Sequence, residues 1–329
     1  DNSPENVALK NAASLYLNTA LKAMLSSQAG LSGEEKASLA VAVVGSLFSD
    51  NVPLETKNHL SKALTRIFQA DITNEIKSQA TSLVSQKLTS NQIGDWASAL
   101  IALRSISKAT KNDPELNTKY FEHCNQNLMM VGSTLCNSVS EEIAKLDVNN
   151  NDEVFGNIFM GLRILRTWIA TIYSFVKSFA NEDLIKRGPT PYILHIVVNE
   201  SLIDIFSKTL LLLLPSENQL KGCVISTSGI EKFDASANST KTEVLRCINK
   251  TVKFLLETGT ILSVRNTKFY AFLKEDGIKG IFQTVFSVCR AQTFKLENAL
   301  EDVDLNKCLV ECLTLLTRLS GHQEFYSLF

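Results

Sequence analysis

The side chains best suited to chemistry are histidines and cysteines, and neither set is spaced for catalysis or metal binding. The histidines are His59, His123, His195 and His322, and none belongs to an HExxH motif. His123 precedes Cys124, but adjacent residues of a helix point about 100° apart, so the pair cannot act locally as nucleophile and base. No Gly-rich phosphate loop or GxSxG motif occurs. We therefore expect no enzyme activity, no catalytic residue, no cofactor and no metal site.

The seven cysteines are better explained as buried thiols than as a disulfide framework. Their number is odd, no CxxC pair occurs, and most stand in apolar stretches of predicted helices. Cys308 and Cys312 are one helical turn apart beside Leu309, Leu313 and Leu316, so the two thiols share an apolar face. This pattern is typical of free, buried cysteines in a reducing compartment.

One polar stretch imitates the beginning of a calcium loop. Asp147, Asn149 and Asn151 have the spacing of the first three ligands. The template then requires Gly at its sixth position and Glu at its twelfth, where this chain has Asp152 and Ile158. We expect a solvated turn without a metal.

Basic residues recur at helical spacing in the first third of the chain. Lys62 and Arg66 are four residues apart and share a helix face. Two interpretations are open: the residues line ordinary solvated faces, or they line one concave surface that binds an acidic or polar protein. Trp96 would then be either an aromatic anchor at the centre of that surface or a core residue. The candidate partner-binding residues are Lys57, Lys62, Arg66, Trp96, Arg104 and Lys108.

Composition excludes several other classes of function. The 329 residues carry a formal net charge of −1, so the chain lacks the basic excess that holds nucleic acid as a main partner. The apolar content of 45% argues against disorder. The longest apolar stretch, Leu202 to Leu214, is interrupted by Asp204 and Lys208 and is followed by Pro215. It is too short to cross a bilayer, so we expect no membrane span.

The elements that position these residues are helices throughout. Amphipathic helices alternate with short polar breaks from Glu5 to Leu319, and only 14 Gly and 6 Pro interrupt them. We predict an all-α fold: a HEAT-repeat-like α-solenoid, a right-handed superhelix of antiparallel helix pairs. It should form one continuous domain over residues 1–329, with short repeats over about 1–110 and longer helices over about 111–329. We expect it to be a fragment of a longer array.

Local features predict where the helices begin and end. Ser32 and Glu35 form a capping box, Pro53 opens the third helix, Thr73 caps the fourth, and Trp168 lies mid-helix on an apolar face. The predicted helices are Glu5–Ser26, Ser32–Phe48, one from Pro53 to Phe68, one from Thr73 to Leu88, one that carries Trp96, Leu100, Leu103 and Ile106, then Pro114–Leu146, Asp152–Phe179, Pro191–Leu214, Thr240–Ile261, Gly277–Gln292 and Asn298–Ser320. Residues Glu217–Asn238 are predicted to form an exposed loop.

Several phrases between Val7 and Lys108 resemble the N-terminal HEAT repeats of importin-β-type nuclear transport receptors. Asn6–Leu17, NVALKNAASLYL, is similar to a phrase that ends an early repeat of that family. The segments Leu31–Lys36, Val52–Phe68 and Trp96–Lys108 resemble, in order, the beginnings and bodies of the helices that follow. The resemblance covers a third of the chain.

The resemblance implies a function. In that family the N-terminal repeats bind the GTP form of the small GTPase Ran on their inner helices, which would correspond to Val7–Leu25, Leu54–Phe68 and Trp96–Lys108. The outer helices bind Phe-Gly nucleoporin repeats, and cargo binding is coupled to Ran. Such a receptor works in the cytoplasm and the nucleus. The alternative is a non-transport HEAT or armadillo scaffold, such as a regulatory subunit.

Overall fold

The computed structural model of the chain describes residues 3–26, 30–49, 51–70, 74–146, 152–178, 242–247, 249–250 and 303–320. These ranges contain helices, turns and bends and no strand. The prediction of an all-α protein is confirmed for them. The helices are α1 (Pro4–Ser26), α2 (Gly33–Leu47), α3 (Leu54–Gln69), α4 (Asn74–Leu88), α5 (Ile93–Ala109), α6 (Pro114–Leu146), α7 (Asp152–Ser178) and α8 (Val303–Ser320). Residues 242–247 and 249–250 are also helical.

The helix boundaries agree with the predicted ones to within a few residues. Pro53 is the N-cap of α3, and Asp113 caps α6 by accepting a 3.0 Å hydrogen bond from the Leu116 N–H. Helical residues 242–247 and 249–250 fall inside the predicted helix Thr240–Ile261. The predicted cap at Thr73, the turn Asp147–Asn151, the helices Pro191–Leu214 and Gly277–Gln292, the loop Glu217–Asn238 and the start of the last helix at Asn298 lie outside the described residues.

The capping box of α2 is present. The Ser32 N–H donates to a Glu35 carboxylate oxygen at 2.8 Å, and the Glu35 N–H donates to the Ser32 hydroxyl at 3.3 Å. The backbone and side-chain hydrogen bonds of Ser32 hold the pKa of Glu35 below its ordinary value of 4.5. The box therefore stabilises the fold at neutral pH, and this contribution is lost as the pH falls through the lowered pKa.

We expect Glu35→Gln to remove this pH dependence. Glutamine can still accept the Ser32 N–H bond, but it does not titrate. The wild type should be slightly more stable at neutral pH, and its advantage should decrease as the pH falls below 4.5 and be lost below the lowered pKa. Urea unfolding of both proteins across that pH range measures the difference. A constant difference at all pH values would contradict the assignment.

The chain divides into two compact units. The first comprises Asp1–Val131 with Ala170–Gly188, and the second comprises Gly132–Ile169 with Pro189–Phe329. That the array is one continuous domain stays a prediction.

In the first unit, α1, α3 and α5 pack side by side in succession, with α2 against α3 and α4 against α5. Hydrogen bonds from side chains connect the three successive helices. Within each pair of helices, a bonded residue further along one helix has its partner further along the other. These bonds join Asn11 to Thr56, Asn18 to Arg66, Lys57 to Ser98, and Thr65 to Ser105. Helices α1, α3 and α5 therefore run parallel to one another.

Apolar side chains fill the core of the first unit. Leu21, Leu64, Ile67 and Leu100 are among its fully buried residues. The Phe121 and Phe175 rings meet at a centroid distance of 5.3 Å and a tilt of 59°. Most of α5 is buried, because it packs against both α3 and α4.

In the second unit, α6 and α7 pack antiparallel through close contacts at glycines. The indole of Trp168 lies against Gly132, where an added Cβ would be 2.6 Å from its Cε2 atom. An added Cβ at Gly161 would lie 2.5 Å from Cγ2 of Val139. The contact pairs are Gly132 with Trp168 and Val139 with Gly161, so residue numbers increase along α6 where they decrease along α7, as in an antiparallel pair. Trp168 is 2% exposed, which confirms its predicted burial.

Candidate protein-binding surface

The three basic candidates of α3 have different environments. Lys62 is exposed. Arg66 is half-buried, and its guanidinium donates to the backbone oxygen of Asn18 on α1. Lys57 is buried, and its Nζ donates to the Ser98 hydroxyl on α5 at 2.8 Å. In the described structure, Lys57 and Arg66 join neighbouring helices, and Lys62 is the most accessible of the three.

The candidates of α5 divide in the same way. Trp96 is buried, and its Nε1–H donates to the Ser90 carbonyl at 2.6 Å. Arg104 is half-buried, and Lys108 is exposed. The buried indole contributes to packing near the start of α5, and it is not available at the surface as an anchor in this conformation. Binding of a partner by these residues stays a prediction.

Lys62 and Lys108 lie on the same side of the α3–α5 pair. Thr65 and Ser105 mark where the two helices face each other. Lys62 precedes Thr65 by three residues and Lys108 follows Ser105 by three, so they are rotated from the contact by about 60° in opposite senses. When two parallel helices face each other, residues that are rotated from the contact in opposite senses lie on the same side of the helix pair. The lysines are separated by about 9 Å along the helix axes.

An apolar face of α1 is also exposed. Leu9 and Tyr16 are two turns apart and are 67% and 77% exposed, and Leu15 and Met24 are exposed as well. Asn11 and Asn18, which bond to α3, lie on a different side of the helix. In the sequence, the wide spread of apolar residues around this helix is the signal that it could make contacts on a second side.

The five described cysteines, Cys124, Cys136, Cys247, Cys308 and Cys312, are buried thiols that are not in disulfides, which agrees with the prediction. Removal from water raises the pKa of Cys124 to about 12 and that of Cys136 to about 11. Burial, followed by the negative charge of Glu243, raises the pKa of Cys247 well above its ordinary value. Protonated thiols are poor nucleophiles at neutral pH. The described residues contain no group of three or more His, Cys, Asp or Glu that could hold a metal ion.

None of the described helices is both long and apolar enough to cross a bilayer.

Compared with known proteins, the chain matches no family model and no curated protein. It is similar to a solved chain from "Computational Design of Self-Assembling Cyclic Protein Homooligomers", with 10% sequence identity and a TM-score of 0.36. The match covers 93% of this chain and 98% of the other. At that TM-score, the likeness supports no argument about fold or function.

Proposed function

We propose that this chain is a protein-binding scaffold built as a HEAT-like α-solenoid. The observation that supports this most is the repeated packing of α1, α3 and α5 in parallel. Their polar bridges join residues separated by 40, 41, 45 and 48 positions, close to one period of a helix-pair repeat. A solenoid buries its core between successive repeats and leaves extended surfaces for other macromolecules.

The exposed side chains of the first unit suit a protein partner. Lys62 and Lys108 place two positive charges on one side of α3 and α5. The exposed apolar side chains Leu9 and Tyr16 on α1 add area that a partner could remove from water. Exposed charges of this kind mainly steer association, whereas buried apolar contacts supply affinity.

The resemblance to importin-β-type receptors gives this scaffold a specific function: nucleocytoplasmic transport. The partners would be a Ran-like GTPase, cargo proteins and Phe-Gly nucleoporins. In this proposal the side of α3 and α5 that displays Lys62 and Lys108 receives an acidic surface of the GTPase.

The test is binding to Ran loaded with GDP or with a non-hydrolysable GTP analogue, at low and high salt. We expect tighter binding to the GTP form. Lys62→Glu with Lys108→Glu should weaken it about tenfold or more at low salt and less at high salt, because exposed charges are screened. Lys77→Glu with Lys119→Glu, on α4 and α6, is the control with the same charge change.

Two results would reject parts of this proposal. Wild-type protein that binds neither nucleotide form would exclude the transport receptor and leave the non-transport scaffold. Equal loss of binding in the test and control pairs would show that overall charge, rather than this side of α3 and α5, attracts the partner.

A further inference from the structure

A basic cavity lies in the second unit, between α7, the helical residues around Glu243, and α8. Its volume is about 230 Å³. Four cationic side chains line it: Arg166, Arg246, Lys250 and Lys307. They come from three separate stretches of the chain, so their convergence depends on the tertiary structure.

A buried carboxylate holds two of these cations in place. Glu243 has a side chain that is 1% exposed, and it accepts a hydrogen bond from Nε of Arg166. Its second oxygen lies 3.5 Å from Nη1 of Arg246. Both guanidinium groups also line the cavity. A guanidinium has five N–H donors in a fixed fork, so it can bond to Glu243 and still present donors to a ligand.

Positive charge predominates around the cavity. Among the described residues that line the cavity or contact its cations, the four cations are accompanied by two carboxylates, Glu243 and Glu311, which leaves an excess of two positive charges. Glu311 already accepts a 2.8 Å hydrogen bond from the amide of Asn249. A ligand with two negative charges would balance the cavity.

The size of the cavity restricts the ligand. Pockets for drug-sized molecules begin at about 300 Å³, and this cavity is smaller. It suits a single anionic group better than a nucleotide. A phosphate monoester carries about −1.5 to −2 charges at pH 7 and has three strong acceptor oxygens. Arginine pairs with such a group through two parallel hydrogen bonds.

We propose that this cavity binds the phosphate monoester of a phosphorylated protein segment. Arg166 and Arg246, oriented by Glu243, hold the phosphate oxygens, and Lys250 and Lys307 neutralise the remaining charge. The phosphate chemistry follows from the cavity, whereas the choice of a protein as carrier rests on the proposed scaffold function.

The experiment is calorimetric titration of the full chain with four probes: inorganic phosphate, O-phosphoserine, a phosphoserine peptide, and the same peptide unphosphorylated. The test variant is Lys250→Gln with Lys307→Gln, which leaves the Arg166–Glu243 pair intact. Lys145→Gln with Arg318→Gln is the matched control, since it removes two positive charges from exposed positions of the same unit outside the cavity. Circular dichroism checks that all three proteins are folded.

We expect saturable binding of phosphate and phosphoserine, and tighter binding of the phosphopeptide than of its unphosphorylated copy. Because each lysine neutralises part of the charge of the phosphate, loss of both lysines should weaken binding about tenfold or more. The control variant should bind like the wild type.

Other outcomes overturn the proposal at different steps. Absence of phosphate binding, or equal affinity of the test variant and the wild type, rejects the phosphate site itself. Phosphate binding without any preference for the phosphopeptide rejects the protein carrier. Vesicles with phosphoinositide headgroups that bind in the same lysine-dependent way, where the phosphopeptide does not, would assign the cavity to a membrane surface. The Ran experiment is independent of these results, because Lys62 and Lys108 lie in the other unit.

Discussion

Replacement of Trp168 by alanine should lower the free energy of unfolding by about 3–5 kcal/mol. The indole is 2% exposed, and its ring edge lies against the backbone of Gly132. Truncation would lose the transfer free energy of a large aromatic side chain and leave a cavity that rigid helices cannot fill. Urea unfolding followed by far-ultraviolet circular dichroism measures the loss. A change below 1 kcal/mol would contradict tight packing at this site.

The same contact can be tested from the glycine. Gly→Ala in a helix normally stabilises by about 1 kcal/mol. At Gly132 the added methyl would meet the indole of Trp168, with Cε2 at 2.6 Å, so we expect a net destabilisation of about 1–3 kcal/mol. Gly156 on α7 is the matched control, because it is also a glycine within a helix, but an added Cβ there has no neighbour within 4 Å. Gly156→Ala should be neutral or stabilising. Equal effects at both glycines would reject the contact.

The helices could be predicted from the sequence because their determinants are local. The Ser32–Glu35 capping box, Pro53 at the start of α3, and Asp113 before Pro114 all act within one turn of a helix end. The apolar positions of α7 repeat at helical spacing, so burial of Trp168 could be predicted without knowledge of its neighbour.

The environments of the basic residues could not be predicted, because they depend on distant partners. Lys57 and Lys62 lie on the same helix, and sequence spacing treated both as surface charges. Lys57 is buried and donates its hydrogen bond to Ser98, which is 41 residues away, whereas Lys62 is exposed. Trp96 is also buried, and its indole N–H donates to the Ser90 carbonyl, which is only six residues earlier.

The basic cavity was also beyond sequence analysis. Arg166 and Glu243 are 77 residues apart, and nothing in the spacing of either residue indicates the other. A single sequence shows charges along each helix, but it does not show which helices meet. The pairing can be tested through its energetic consequence.

Arg166→Met should lower the free energy of unfolding by about 3–5 kcal/mol, because it removes the closer partner of a buried charge. The carboxylate of Glu243 is 1% exposed and would depend on Arg246, whose Nη1 is 3.5 Å away. Methionine keeps most of the apolar stem of arginine, so lost packing should contribute little.

Charge and packing can be separated by a second substitution. Glu243→Gln in the Arg166→Met background removes the buried charge, so the double variant should recover most of the lost stability. Arg163→Met is the control, since Arg163 is half-buried on the same helix, one turn before Arg166; it should change stability by less than about 0.5 kcal/mol. Urea unfolding of the wild type, the single variants Arg166→Met and Glu243→Gln, and the double variant gives the coupling between the two positions. If Arg166→Met behaves like Arg163→Met, or if the double variant is less stable than Arg166→Met alone, then Glu243 does not depend on Arg166. In that case the proposed phosphate site would lose the group that orients its arginines.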